Sequence, residues 1–295
     1  MNPTLQKTLR FSDLIMDKVN RTNRYRLDAS GKGINTTRVL TQLGKPCRHL
    51  TQLGGMFRPM FLRLCEKDGL SVSWVESDRN LRFCHTLIND ADKSVTELVE
   101  ESEPVPPETE SRLREAFERL LPDCRWLIIS GTKAPGFSDE LVPFFVKTAK
   151  AKGKQIILDL RGEDLKNSLI YEPEVIKPNL LEFAGTFAPE LVQGNQVMPD
   201  PEGLIEKICA DLAERYGCQI ILTDGAKPVR FTEEGTIRLY PFAPVPPVNT
   251  TGSGDAFTAG LAAGLDDSKP LRDAIAQGIH CGALNAGLLK VGVIR

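Results

Sequence analysis

The sequence predicts an α/β fold, a mostly parallel sheet with helices on both faces, with a small antiparallel element drawn from the N-terminal third. Three observations carry this expectation. From Arg125 onward, short apolar runs alternate with longer segments of helical period, the pattern of a parallel sheet built from βαβ units. Two strand-like runs, Phe83 to Ile88 and Ser94 to Val99, flank Asn89-Asp90-Ala91-Asp92-Lys93, a stretch suited to a turn. The chain has 295 residues, 41% of them hydrophobic, enough for one large core with an accessory element.

Taken in order, Leu9 to Leu27 can supply further strands to the N-terminal element. Segments distant in sequence that meet in one small sheet suit a lid over a site on the larger body. Glu97 to Glu110 is rich in acid and proline and reads as a solvated connector. Trp126 to Ile129, Gln155 to Leu158 and Gln219 to Leu222 are the clearest strands of the main sheet. Ser138 to Ala151 and Pro201 to Tyr216 carry apolar residues at helical spacing and stop near Gly153 and Gly217, residues suited to helix ends.

Composition excludes several functions. With 37 basic and 39 acidic side chains the formal charge is -2, so no broad cationic surface for nucleic acid or anionic lipid is expected. Seven cysteines, odd in number and without C-x-x-C spacing, read as reduced thiols. No apolar run reaches the ~18 residues of a membrane span, and Met1-Asn2-Pro3 opens no signal peptide. A cytoplasmic location is expected. His49, His85 and His280 lie apart, without metal-ligand spacing, and neither a P-loop nor a G-x-S-x-G elbow occurs.

The chemistry concentrates in Asn249-Thr250-Thr251-Gly252-Ser253-Gly254-Asp255, which runs directly into the small, apolar, helix-like stretch from Ala256 to Gly264. Glycines let backbone approach an anion, and amides at a helix start stabilise charge on a transferring phosphoryl group. Gly252, Ser253 and Gly254 are therefore candidates for an anion hole and Asp255 for a general base. In isolation the same string also fits a plain helix cap. Upstream, Gly31-Lys32-Gly33-Ile34-Asn35 sets a cation and an amide in a glycine-flanked turn. Asn179 and Glu182, three apart after Pro178, fit either one helix face toward Mg²⁺-bound water or a capping box. Thr223-Asp224-Gly225 follows a predicted strand, where open α/β sheets bind ligands.

These motifs together resemble the PfkB carbohydrate kinase family, the ribokinase-like kinases. Ala29 to Asn35 with Thr37-Arg38-Val39-Leu40 and Leu43-Gly44 is similar to its N-terminal signature, and Gly252 to Asp255 to its C-terminal one. Gly54-Gly55, Ser130-Gly131 and Lys177-Pro178-Asn179-Leu180-Leu181-Glu182 match in order, so the resemblance covers nearly the whole chain. It implies a ribokinase-like three-layer α/β/α fold, a single domain over 1–295 with lid strands from about 7–30 and 80–100. The implied activity is ATP-dependent phosphorylation of a hydroxyl, with Mg²⁺.

The resemblance implies Gly31, Lys32, Asn35, Arg82 and Ser130 for the sugar, and Lys177, Asn179, Thr223, Gly225 and Asn285 for the nucleotide. Asn179 and Glu182 would reach the metal through water. Asn2-Pro3, Lys32, Arg82, Ser130 and Asn249 bring the chain closest to the branches acting on fructose 1-phosphate and tagatose 6-phosphate, in which Arg82 would clamp the phosphate already on the sugar. Alternatives are a kinase for an unphosphorylated sugar or nucleoside, and a catalytically silent sugar-phosphate-binding relative. A homodimer through the lid is a further option.

The chain departs from the family pattern at Gln6, where an aspartate is usual, at Pro228, where a glycine is usual, and at Thr132-Lys133-Ala134. The family also has a complete central strand ahead of the Asn-Pro turn, so the resemblance implies a sheet short of one strand or one that begins differently.

Overall fold

The computed structural model describes residues 1–295. The chain forms two compact units, one of residues 1–113, 133–137 and 245–295, the other of residues 114–132 and 138–244. The division falls inside a helix.

The first unit opens with β1 (Thr4–Phe11), β2 (Tyr25–Ser30), α1 (Lys32–Gln42), β3 (His49–Leu53), α2 (Arg58–Lys67), β4 (Val72–Glu76), β5 (Arg82–Asn89) and β6 (Val95–Val99). Helix α3 (Pro107–Leu120) leads into the second unit. There follow β7 (Trp126–Ser130), α4 (Leu141–Ala151), β8 (Gln155–Asp159), α5 (Gly162–Leu169), β9 (Val175–Ile176) and α6 (Leu180–Phe187). A small hairpin, β10 (Val192–Gln193) and β11 (Gln196–Val197), precedes α7 (Leu204–Tyr216), β12 (Gln219–Leu222), β13 (Val229–Glu233) and β14 (Thr236–Tyr240). The chain then returns to the first unit with α8 (Ser253–Asp266) and α9 (Leu271–Ala286).

The second unit holds a six-stranded sheet of order β14-β13-β12-β9-β8-β7, in which β7, β8, β9 and β12 run parallel and β13 and β14 antiparallel. Its inner parallel strands β8, β9 and β12 are apolar because both faces are covered: Ile156, Ile157, Leu158, Ile176, Ile220, Ile221 and Leu222 are all fully buried. Burial of each such side chain contributes about 1.5–3 kcal/mol. The helices expected over 138–151 and 201–216 are α4 and α7. Gly217, in the left-handed region at φ 65°, ends α7, and Gly153 at φ 67° follows the last turn of α4.

The first unit packs Leu5, Ala29, Ile34, Leu53, Phe61 and Cys65 into one core. Its four-stranded sheet has the order β2-β1-β5-β6, and β3 and β4 form a separate parallel pair. The small sheet differs from the antiparallel element the sequence predicts, because β1 and β5 run parallel. Between them the chain turns back through β2 and then passes through α1, β3, α2 and β4 before β5 enters in the direction of β1. The hairpin of β5 and β6 is antiparallel around the expected turn, with Lys93 at φ 61°.

The start of β1 at Thr4 was hidden by polar residues that face inward. Gln6 is buried, and its Nε2 donates to Thr86 Oγ1 of β5 at 2.6 Å. The amide at this departure from the family pattern thus joins two strands of the small sheet.

Helices α8 and α9 are rich in small residues because their backbones touch. A Cβ on Gly260 would stand 2.6 Å from the Gln277 carbonyl oxygen, and one on Gly278 3.0 Å from that of Phe257. All seven cysteines are free, and burial pushes the Cys65 and Cys209 thiols up to about 12, which leaves them poor nucleophiles at neutral pH. No helix is long and apolar enough to cross a membrane.

Candidate active site

In the first unit the site is organised by the start of α8. Gly252 is the N-cap, held in the left-handed region at φ 83°, and no side chain caps the helix. A Cβ there would stand 2.9 Å from the Gly292 amide nitrogen, so both the backbone angle and the space require glycine. Asp255 lies in the first turn and is 5% exposed. Its Oδ2 accepts a hydrogen bond of 2.8 Å from Asn35 Nδ2. The carboxylate is therefore directed to α1.

The loop ahead of α8 is fixed from behind. Asn285 of α9 is fully buried. Its Nδ2 donates to Thr251 O at 3.0 Å and Ser253 Oγ at 3.1 Å, and its Oδ1 accepts from the Val293 amide at 3.1 Å. The nucleotide role expected for Asn285 thus falls on a side chain whose amide is bound to the protein's own loop. Asn249 Nδ2 donates to Leu289 O at 3.1 Å, and its Oδ1 accepts from the Thr251 amide at 3.1 Å. Thr251 Oγ1 also reaches Glu97 of β6 at 3.1 Å, which ties the small sheet to the same loop.

Gly31 caps α1 at φ 111°, a region open to glycine. Lys32 is the first helical residue and Asn35 stands one turn on, where Ser30 Oγ donates to its Oδ1 at 3.1 Å. Gly33 is needed for a different reason: a Cβ would stand 2.7 Å from His49 Cε1. Burial lowers the His49 imidazole to about 3, so it packs there in the neutral form. Arg82 opens β5. Its guanidinium donates to Glu100 O at 3.1 Å, while its Nε is buried without a hydrogen-bond partner.

In the second unit the remaining predicted residues gather at the carboxyl ends of parallel strands, where open α/β sheets bind ligands. Ser130 at the end of β7 donates through Oγ to Asp159 Oδ2 at 3.2 Å. Lys177, just past β9, stands 3.6 Å from Asp159 Oδ1, and both are 2% exposed. Two buried opposite charges require each other. Asn179 bridges to Thr223 in the sheet and forms a complete capping box with Glu182: Asn179 Oδ1 accepts from the Glu182 amide at 2.7 Å and Glu182 Oε2 from the Asn179 amide at 3.1 Å. Gly225, at φ 56°, lies in the turn after Thr223, which closes where Lys227 N donates to Asp224 O at 3.0 Å.

The sequence profile of the pfkB family of carbohydrate kinases matches residues 5–292. The chain belongs to the pfkB family of carbohydrate kinases. As a pfkB kinase it is an ATP-dependent enzyme that phosphorylates an alcohol group. Its fold is that of phosphofructokinase-2 from Escherichia coli, solved with substrates and products, with a TM-score of 0.84 at 19% identity over 97% of this chain and 91% of that one. A protein described as a "possible 1-phosphofructokinase" from Thermotoga maritima gives 0.85 at 19% identity over 98% and 91%. Ribokinase from the same organism gives 0.71 at 16% over 99% and 92%.

Two residues that contact candidate site residues escaped the sequence reading. Asp159, which joins Ser130 to Lys177, is the polar residue ending the apolar run Gln155 to Leu158, and its place at a strand's carboxyl end was a usable signal. Glu97 sits in a run of acids that reads as plain solvated charge, and nothing in the sequence separates it from its neighbours.

Proposed function

We propose that this kinase transfers the γ-phosphoryl group of ATP to a hydroxyl of a sugar phosphate of the fructose 1-phosphate or tagatose 6-phosphate type, with Asp255 as the base. The observation that carries the proposal is the buried Asp255 carboxylate, directed to α1 from the first turn of a helix whose N-terminus no side chain caps. A buried carboxylate oriented by a donor is suited to take the proton of an attacking hydroxyl. Gly252, Ser253 and Gly254 supply an anion hole for the phosphoryl oxygens.

The acceptor oxygen bonds to the γ-phosphorus, its proton passes to Asp255, and the bond from the γ-phosphorus to the bridging oxygen breaks to release ADP. Lys32 and Asn35 hold the sugar, and Arg82, whose Nε lacks a partner, takes the phosphate already on it. Lys177, Thr223 and Gly225 serve the nucleotide and Ser130 the acceptor. Asn285 supports the nucleotide end through the loop it binds.

The donor set fits Mg²⁺. Asn179 and Glu182 offer hard oxygen atoms, as suits an ion bound mainly by substrate phosphates, water and one or two carboxylates. When bound, Mg²⁺ neutralises charge on the phosphates. Tyr25, Leu98 and Val99 of the small sheet are more than half exposed, which supports a homodimer through this lid.

One observation favours a second reading, an unphosphorylated acceptor: part of the Arg82 guanidinium is already bound to Glu100 O. ADP release measured with MgATP and fructose 1-phosphate, fructose 6-phosphate, tagatose 6-phosphate, fructose, ribose and adenosine separates the two. Turnover is expected on one sugar phosphate, with its KM raised in Arg82→Ala far more than that for ATP. Turnover confined to an unphosphorylated acceptor would overturn the phosphate clamp.

A further inference from the structure

The largest fully buried side chain in the protein is an arginine that the mechanism above does not use. Arg38 of α1 is 1% exposed. Its Nε donates to Asp68 Oδ2 at 2.7 Å, its Nη2 to Ala29 O, and its Nη1 to both Val291 O at 3.2 Å and Asn35 Oδ1 at 3.1 Å. Asp68 also takes Lys290, which stands 3.7 Å from Asp28, itself held by Arg26 through bonds of 2.5 and 2.9 Å. Burial pushes the Asp68 carboxyl up, but the bond from Lys290 and the Arg38 charge outweigh this and leave it below its usual value. The guanidinium therefore sits in a fixed frame of acceptors drawn from four segments.

We propose that Arg38 is a positioning residue for the catalytic base, acting through Asn35: it fixes which end of the Asn35 amide faces Asp255. The inference rests on the reading of Asp255 as base. A guanidinium carries donors only and keeps its charge at any working pH. The Asn35 oxygen must face it, and Ser30 Oγ donates to the same oxygen at 3.1 Å. The planar amide then has one direction left for its nitrogen, toward Asp255 Oδ2 at 2.8 Å. Turned over, the amide would set its NH₂ against the guanidinium and its oxygen against a carboxylate, two repulsions in a buried site.

The backbone closes the remaining freedom. Gly292 packs so closely that a Cβ on it would stand 2.6 Å from Asn35 Cβ. The base is thus held by a chain of three side chains in which the outermost can only donate. Arg38 touches no reacting atom in this account.

The test is Arg38→Lys, which keeps a cation for Asp68 but cannot also serve Asn35, Ala29 O and Val291 O. With the acceptor that wild type turns over, kcat is expected to fall about 10–100-fold, with KM for ATP within about twofold. In an Asn35→Ala background the same substitution should cost less than about twofold more, because the relay is already cut. An unchanged kcat, or a full multiplicative loss on top of Asn35→Ala, would overturn the proposal. If Arg38→Lys does not fold, Ser30→Ala removes the other donor to the same oxygen; a smaller kcat loss that vanishes with Asn35→Ala supports the relay, and no loss counts against it.

A readout without turnover separates this inference from the kinase reading. In protein labelled with ¹⁵N-asparagine, the Asn35 side-chain amide, assigned by its absence in Asn35→Ala, should move toward the position of a free amide in Arg38→Lys or, where that variant does not fold, in Ser30→Ala. A resonance that stays in place sinks the relay, whether or not any acceptor is turned over.

Discussion

Two helices that carry the proposed chemistry begin in opposite ways. Helix α6 starts with a full capping box, Asn179 and Glu182 each satisfying the other's backbone amide. Helix α8 starts at a left-handed Gly252 with no side-chain cap. A cap of the first kind contributes about 1 kcal/mol, so leaving α8 without one forgoes stability that its neighbours must supply. They do so through Asn285, which binds Thr251 and Ser253 from behind, and through the close packing of α8 on α9. The difference separates a helix start that completes itself from one whose support comes from elsewhere and whose front is the proposed anion hole.

That contrast is broken most directly at Asp255. Asp255→Asn is expected to lower kcat by about 10²–10⁴-fold while ATP binding, followed by calorimetry, stays near wild type. A loss of less than about tenfold would remove the base from the account. Next in size, Gly252→Ala adds a Cβ 2.9 Å from the Gly292 nitrogen at a backbone angle of φ 83°. A stability loss of about 1–3 kcal/mol is expected from urea unfolding, together with a fall in kcat much larger than that of a distant variant of equal stability. Equal falls in both would mean that the loop has no role beyond folding.

At the capped helix the two functions can be separated. Glu182→Gln keeps an oxygen for the Asn179 amide and removes the charge. The Mg²⁺ concentration for half-maximal rate should rise several-fold while Tm changes by no more than about 2 °C. A lower Tm with unchanged Mg²⁺ dependence would make the pair a cap alone.

The smallest effect concerns the glycine start of α1. His49, lowered to about 3 by burial against an unfolded value of 6.5, binds a proton only when the chain unfolds within that window. Stability therefore falls as pH drops from 6.5 toward 3. His49→Gln should flatten the decline in urea midpoint between pH 7 and pH 5, and an unchanged slope would place the effect on other groups.

Of the four parallel strands of the second unit, β9 is only two residues long and gave no apolar run, whereas β7, β8 and β12 were legible because their apolar runs stand clear of helical periods. The small sheet was only partly so. Its hairpin announced itself by a turn, whereas β1 hid behind Gln6 and Thr8, polar residues buried in the sheet. The glycine signatures marked backbone positions that only glycine fits, Gly31 at φ 111° and Gly252 at φ 83° with its close contact to Gly292. The links between motifs were not legible: Asp159 between Ser130 and Lys177, and Arg38 behind Asn35, join partners far apart in sequence or sit in motifs whose spacing says nothing of contact.

The parallel pairing of β1 with β5 also bears on how the chain folds. Thr4 pairs with Arg82 and Phe11 with Asn89, so this ladder closes only once the intervening β2, α1, β3, α2 and β4 are brought together. Loops of that length make non-local pairings slow, whereas the β5–β6 hairpin needs only its own turn. The small sheet should therefore assemble in two stages, hairpin before ladder. Amide exchange during refolding would show β6 protected ahead of β1.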